Sequence, residues 1–311
     1  MSEHRRLVVI LGPTASGKSA LAITLAERLD GEVLACDSTQ VYRHFDIGTG
    51  KVPAAERRGI PHHLIDLVEP EEVFTAGEYR RRATEVLEEI CARGRLPTLT
   101  AGTGLYLRAL LEGLADAPAR SEELRERLRQ RVARRGAEYL HGILKRLDRE
   151  SASRIAPGDT QKVIRALEVR LLSGEPASAL HRQERTGLQG FQVLKIGLMP
   201  PRAALYERID RRVIAMQGLG WLDEVKILLG KGIAPTSKPF EFLGYSQLRD
   251  VLTGKMALDG AIRQIQQATR QYAKRQITWF RKERGVHWIE RFGDEPATAA
   301  EALKLMGAVK E

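Results

Sequence analysis

The chain has 311 residues, with 50 Lys or Arg against 40 Asp or Glu for a formal charge of +10, and it is 43% hydrophobic and 29% charged. Such a balance can bury a core, which excludes a disordered or fibrous polymer, and the length suits one large domain or two of ordinary size. The two cysteines, Cys36 and Cys91, are too few for a Cys-rich zinc site or a disulfide framework and are expected to be buried thiols.

Leu7–Leu11 is an apolar run that stops at Gly12-Pro13. It is too short for a signal-peptide core or a membrane span, so it predicts a buried strand in a soluble, cytoplasmic protein with no membrane partner. Residues 18–29 predict a helix, with Leu21, Ala22, Leu25, Ala26 and Leu29 at helical spacing. Glu32–Cys36 predicts a second strand ending at Asp37, and His63–Leu67 a third. Thr75–Arg93 predicts a long helix, and Pro97–Ala101 a fourth strand running into Gly102-Thr103-Gly104. Strand and helix alternate, so the fold class is α/β: a parallel sheet flanked by helices, with ligands gathered at the carboxyl ends of the strands.

From Ser121 to about Leu172 only helical periodicity remains. Ser121 is the expected N-cap before Glu122 and Glu123, and Gly136 and Pro157-Gly158 break the run. Phe191–Met199 returns to an apolar strand, Pro201–Leu229 gives one broken helix or two, and Leu258–Lys282 a long basic helix. Val286–Ile289 predicts a last strand added to the sheet, and Glu295–Met306 a closing helix. The expected organisation is a core built from residues 1–118 and 190–311, interrupted by an all-helical insertion at 119–189.

The positive charge is not spread evenly. Residues 119–185 hold 16 Lys or Arg against 10 Asp or Glu, and residues 262–291 hold eight against two, while the remainder carries 26 against 28. Two stretches therefore hold the whole positive excess, as expected for a polyanionic partner such as nucleic acid; solvated Arg-rich helix faces are the other reading.

Gly12-Pro13-Thr14-Ala15-Ser16-Gly17-Lys18-Ser19 matches the phosphate-binding pattern G-x-x-x-x-G-K-[ST] between a predicted strand and a predicted helix. Its glycines let amides curl around phosphate oxygens, Lys18 adds a point charge, and the Ser19 hydroxyl is the expected ligand of Mg²⁺. The motif calls for a diphosphate or triphosphate without choosing between them. Asp66 is a weak candidate for the metal-holding acid of a kinase and equally an acid that caps a turn. Asp37 is better placed, because a strand adjacent to the P-loop strand would aim its carboxylate at the phosphates, to hold Mg²⁺ or take a proton from a nucleophile.

Further motifs follow in order: DSTQVY at Asp37–Tyr42, DIGTGK at Asp46–Lys51, PHHLID at Pro61–Asp66, GTGLY at Gly102–Tyr106, RALEV at Arg165–Val169 and YAKRQITWFR at Tyr272–Arg281. With GPTASGKS at Gly12–Ser19 they span nearly the whole chain, and in them the chain resembles the bacterial tRNA dimethylallyltransferases, or tRNA isopentenyltransferases. The resemblance implies a P-loop NTPase-like sheet. It implies transfer of a dimethylallyl group from dimethylallyl diphosphate to N6 of the adenosine just 3′ of the anticodon in tRNA, with release of diphosphate and with Mg²⁺ as cofactor. The P-loop, from Gly12, Pro13, Thr14, Ala15, Ser16 and Gly17 to Lys18 and Ser19, would then cradle the diphosphate, although the pattern is that of ATP-binding proteins.

Carried over residue by residue, the resemblance makes Asp37 the general base, puts Thr103 near the reacting centre, and lines the adenine pocket with Ser38, Thr39 and Gln40. Arg212, with Arg208 as second choice, would meet the leaving-group charge. Arg125, Gln161, Lys162, Val163, Ile164, Arg165, Gly244, Tyr245, Lys274, Arg275, Gln276 and Arg281 would grip the anticodon stem-loop, and Tyr272 and Trp279 are either stacking platforms or core residues. A monomer is expected, since one chain holds the whole site. The family pattern is altered at Lys162, which replaces an Arg, at Ser246-Gln247, and at Ala101. Two other readings stand beside this one: a P-loop kinase or RNA-binding NTPase with Asp66 on Mg²⁺, and an adenylate isopentenyltransferase acting on free AMP or ATP. The basic insertion and the Tyr272–Arg281 helix argue against the second, because a mononucleotide needs no stem-loop grip.

Overall fold

A computed structural model of the chain describes residues 5–182 and 185–308. It divides into two compact units, Met1–Leu111 with Leu188–Glu311, and Glu112–Gly187. The expected cuts after residues 118 and 189 fall slightly later than these. The amide of Leu188 donates to the carbonyl of Leu111 (3.3 Å), which ties both crossings of the chain to the larger unit.

The larger unit opens with β1 (Arg5–Leu11), α1 (Lys18–Arg28), β2 (Gly31–Cys36), β3 (His62–His63), α2 (Ala76–Ala92), β4 (Leu96–Ala101) and α3 (Gly104–Glu112). Leu7, Val9 and Leu11 of β1 pack into one apolar core with Tyr79, Leu87 and Leu107, and Val8 and Ile10 into a second with Leu21 and Leu25. Covered on both faces, the strand is a continuous apolar run and not an alternating one. The third strand is shorter than predicted. Leu64 and Asp66 adopt positive φ (64° and 53°), and the amides of Asp66 and Leu67 pair instead with the carbonyls of Gln40 and Val41.

The smaller unit is helical throughout: α4 (Glu122–Arg135), α5 (Ala137–Leu147), α6 (Arg149–Arg154), α7 (Thr160–Ser173) and α8 (Ala177–His181). Ser121 caps α4 by accepting from the amide of Leu124, and Gly136 (φ 84°) separates α4 from α5. Leu128, Leu140, Leu144, Val163 and Leu167 form its core. The buried carboxylate of Asp148 accepts from the amides and hydroxyls of Ser151 and Ser178, joining α6 to α8. Burial alone would raise that carboxyl, but the four donors hold it at about 2.

The larger unit resumes with β5 (Phe191–Leu198), α9 (Arg202–Gly218), α10 (Trp221–Gly230), α11 (Tyr245–Leu252), α12 (Leu258–Phe280), β6 (Val286–Ile289) and α13 (Pro296–Ala308). The six strands are parallel, in the order β3-β2-β4-β1-β5-β6. The strand that leads to Asp37 is thus not the neighbour of the P-loop strand, as the sequence had suggested, because β4 lies between them. No described helix is long and apolar enough to cross a membrane.

Candidate active site

A cleft of about 1660 Å³ opens on the larger unit at the carboxyl ends of the strands. Its floor is the turn from β1 into α1. Gly12 (φ +154°) approaches Leu198 so closely that a Cβ would lie 2.7 Å from its carbonyl oxygen, and at Gly17 (φ +90°) one would lie 2.6 Å from the amide nitrogen of Gly293. Only glycine passes at these two points. The first bond onto α1 runs from the amide of Leu21 to Gly17, so the amides of Lys18, Ser19 and Ala20 precede it, and all three residues line the cleft. Lys18 folds back to donate to the carbonyls of Gly12 (2.9 Å) and Pro13 (2.8 Å). Burial pulls its ammonium down to about 8; Asp37 opposes that shift and Arg212 adds to it.

Asp37 lines the cleft, with Thr103 behind Ser38 and outside the lining. Oδ1 of Asp37 accepts from the amide (2.9 Å) and hydroxyl (2.7 Å) of Thr39, and Oδ2 takes no hydrogen bond among the described residues. Oδ2 sits beside Gly102, where a Cβ would approach it to 2.5 Å. A glycine just after the intervening strand β4 therefore leaves the room in which Asp37 reaches the P-loop side. The Thr103 hydroxyl accepts from the amide of Ser38 (2.9 Å) and donates to its hydroxyl (3.2 Å). Gln40 donates to the carbonyls of Thr49 and Gly50.

The two arginines weighed for the anion are different in kind. Arg208 forks onto both oxygens of Asp294 (2.7 and 3.0 Å) and lies over the ring of Phe292. Arg212 is half-buried, lines the cleft beside Gly50, and has no hydrogen bond or ion pair among the described residues. Burial, and then the charge of Arg208, lower its pKa. An unpaired half-buried cation is costly unless an anion joins it.

The loop over this cleft is held chiefly by Glu224 and Lys51, neither of which was assigned a role from the sequence. Glu224 accepts from the amides of Asp46 and Ile47 through one oxygen and from the hydroxyl of Tyr245 through the other, and that hydroxyl accepts from the amide of Gly48. Lys51, its side chain 4% exposed, donates to Asp46, Asp66 and the carbonyl of Tyr42. Asp66 thus engages Lys51 through Oδ1. The DIGTGK motif was the available signal for Lys51; nothing local in the sequence pointed to Glu224.

The residues expected at the RNA divide. On α12, Lys274 and Arg275 are exposed, with Arg275 over the ring of Tyr272, and Arg281 just beyond the helix is exposed too. Gln276 is buried and turned inward, to Thr14 and Gly102. Tyr245 is buried in the contacts above, and Gly244 (φ +94°) lies against the ring of Trp221. Trp279 packs into the core under Arg108 and against Gly104, so it is no open stacking platform. In the helical unit Gln161 and Lys162 are exposed, whereas Val163 and Ile164 are core residues with no side chain to offer. Arg125 and Arg165 both pair with the buried Glu168, which occupies their guanidinium groups. Arg127 and Arg131, not singled out from the sequence, are exposed there.

Mg²⁺ fits these residues only in company. Among the described residues no group of three or more His, Cys, Asp or Glu is arranged to hold a metal. The Ser19 hydroxyl at the start of α1 is a hard oxygen donor that suits Mg²⁺ when phosphate oxygens complete the shell.

A family model described as IPP transferase matches residues 40–283. The chain is 53% identical over 297 residues to a tRNA dimethylallyltransferase of Solibacter usitatus, covering 96% of each protein. It is 51% identical over 300 residues to another from Koribacter versatilis, covering 96% of this chain and 97% of that one. Among solved structures, the full-length tRNA isopentenylpyrophosphate transferase of Bacillus halodurans aligns with a TM-score of 0.71 and 39% identity over 98% of both chains. A eukaryotic dimethylallyltransferase acting on tRNA aligns with a TM-score of 0.82 and 28% identity, over 97% of this chain and 78% of that one. With the same fold, and with sequence shared at this level over nearly its whole length, the chain belongs to the IPP transferase family.

Proposed function

We propose that this chain transfers a dimethylallyl group from dimethylallyl diphosphate to N6 of the adenosine 3′-adjacent to the anticodon in tRNA, releasing diphosphate. The observation that carries this reading is the pairing of an anion-deficient cradle with a free carboxylate oxygen in one cleft: Arg212 and Lys18 on one side, Oδ2 of Asp37 on the other. The names of its relatives supply the substrates. The N6 lone pair attacks the allylic carbon as the bond from that carbon to the diphosphate oxygen breaks. The diphosphate leaves with the electron pair, and the N6 proton passes to Asp37. Arg212, Lys18 and the amides at the start of α1 meet the charge that grows on the leaving oxygens. Mg²⁺, held by Ser19 and the diphosphate, would neutralise part of that charge. Thr103 orients Ser38 beside the acceptor.

The kinase reading is weakened, because its candidate metal-holding acid, Asp66, already pairs with Lys51 through Oδ1. Incubation with labelled dimethylallyl diphosphate, Mg²⁺ and unmodified tRNA, beside arms with AMP and ATP, tests the proposal. Label in tRNA is expected. Label in AMP or ATP alone, or none in tRNA, overturns it.

A further inference from the structure

We infer that Gln276 is a positioning residue that sets the distance between the donor cradle and the acceptor carboxylate, and that its side chain does not touch RNA; this rests on the function proposed above. The residue is 6% exposed where it borders the cleft, and both polar atoms of its amide are engaged within the protein. Its Oε1 accepts from the amide of Thr14 in the P-loop (2.7 Å), and its Nε2 donates to the carbonyl of Gly102 (2.8 Å). The orientation of the amide is fixed by these partners, since an N–H can only donate and a carbonyl can only accept.

The two ends of this bridge sit on the two halves of the reaction. Thr14 belongs to the loop that curls around the diphosphate. Gly102 follows β4, is the wall against which Oδ2 of Asp37 rests, and leads into Thr103 with its bonds to Ser38. One rigid amide thus spans from the leaving group's cradle to the proton acceptor. It is mounted on α12, where the two residues before it, Lys274 and Arg275, are exposed cations. A displacement of about 1 Å in such a frame costs on the order of a hundredfold in rate.

The test uses the full chain with Q276E, Q276A and the double variant K274A/R275A. Q276E keeps the shape and the acceptor for Thr14 but faces the Gly102 carbonyl with a second acceptor. At saturating stem-loop RNA, single-turnover transfer by Q276E is expected to fall about a hundredfold while the dissociation constant for the stem-loop stays within about twofold. Lowering the pH should restore part of the Q276E rate, because a protonated carboxyl regains the donor. Q276A should also weaken binding of inorganic diphosphate by about tenfold, through the loosened P-loop. K274A/R275A should instead loosen the stem-loop.

If Q276E loosens the stem-loop as K274A/R275A does and keeps its saturated rate, Gln276 holds RNA and the inference is overturned. An unchanged rate and affinity overturn it as well. Thermal melts compare the variants' folding, and Q276E carries the test where Q276A does not melt cooperatively. Should the wild-type chain transfer no label to tRNA, the function fails, and the diphosphate affinity of Q276A still decides the bridge.

Discussion

Arg208 and Arg212 lie one turn apart on α9, and the protein neutralises only the first: Arg208 holds both oxygens of Asp294, while Arg212 faces the cleft without a partner among the described residues. The sequence favoured Arg212 with Arg208 as second choice, and although both line the cleft, this difference in pairing supports that order. R212A should lower kcat/KM for dimethylallyl diphosphate by about 10²–10³, the scale of losing one donor to a developing oxyanion. R208A removes a partly exposed ion pair of small value and should leave kcat/KM within about tenfold. Steady-state kinetics on the two variants check this, and equal losses would show that Asp294 does not divert Arg208.

Asp37 has one oxygen committed to Thr39 and one open beside Gly102. D37A should lower the transfer rate by about 10²–10⁴ while stem-loop affinity changes only a few fold, because it removes a proton acceptor and no RNA grip. Single-turnover rates with a binding assay measure both. An unchanged rate removes Asp37 from the chemistry.

Lys18 binds an anion only as an ammonium, and burial has brought its pKa to about 8 from the ordinary 10.5. As pH rises through 8 the empty site loses its proton, so affinity for inorganic diphosphate should fall progressively between pH 8 and 10, with proton uptake on binding. Over the same range the unfolded chain binds more protons than the folded one, so the ligand-free protein gains stability from this group as pH rises. Calorimetry in buffers of different ionisation enthalpy reads the uptake, and K18R should flatten the pH dependence. A diphosphate affinity independent of pH would show that Lys18 stays charged.

Much of this site was legible because its signals are local. The P-loop spacing, Asp37 at a strand end and the exposed Lys274-Arg275 pair each depend on a few adjacent residues and one element. What escaped depends on contacts between distant segments. The bridge from Gln276 to Thr14 joins residues 262 positions apart, and Glu224 reaches Ile47 across 177. Periodicity reports that a residue is buried but not what it touches, so Gln276, Tyr245 and Val163 looked alike as members of RNA-binding motifs. The strand order was hidden for the same reason: alternation of strand and helix predicts a parallel sheet, but not that β4 enters between β1 and β2. Leu64 and Asp66 show a third limit, since their positive φ breaks an apolar run that reads as a strand.

Lys274, Arg275 and Arg281 give the last expectation. They are exposed, and none of the three has an acidic partner among the described residues, in contrast to Arg125 and Arg165 on the buried Glu168. An unpaired exposed cation releases counterions from RNA; a cation already paired inside its own unit releases few. Replacing Lys274 and Arg275 by Ala should therefore weaken tRNA binding and lower the slope of log affinity against log salt by roughly 0.7–0.9 for each phosphate that is no longer neutralised. R125A should leave that slope unchanged and lower the melting temperature instead, because it leaves Glu168 buried with one cation fewer. Binding measured at several salt concentrations, together with thermal melts, separates the two behaviours. A reduced slope for R125A would show that its guanidinium leaves Glu168 for the RNA.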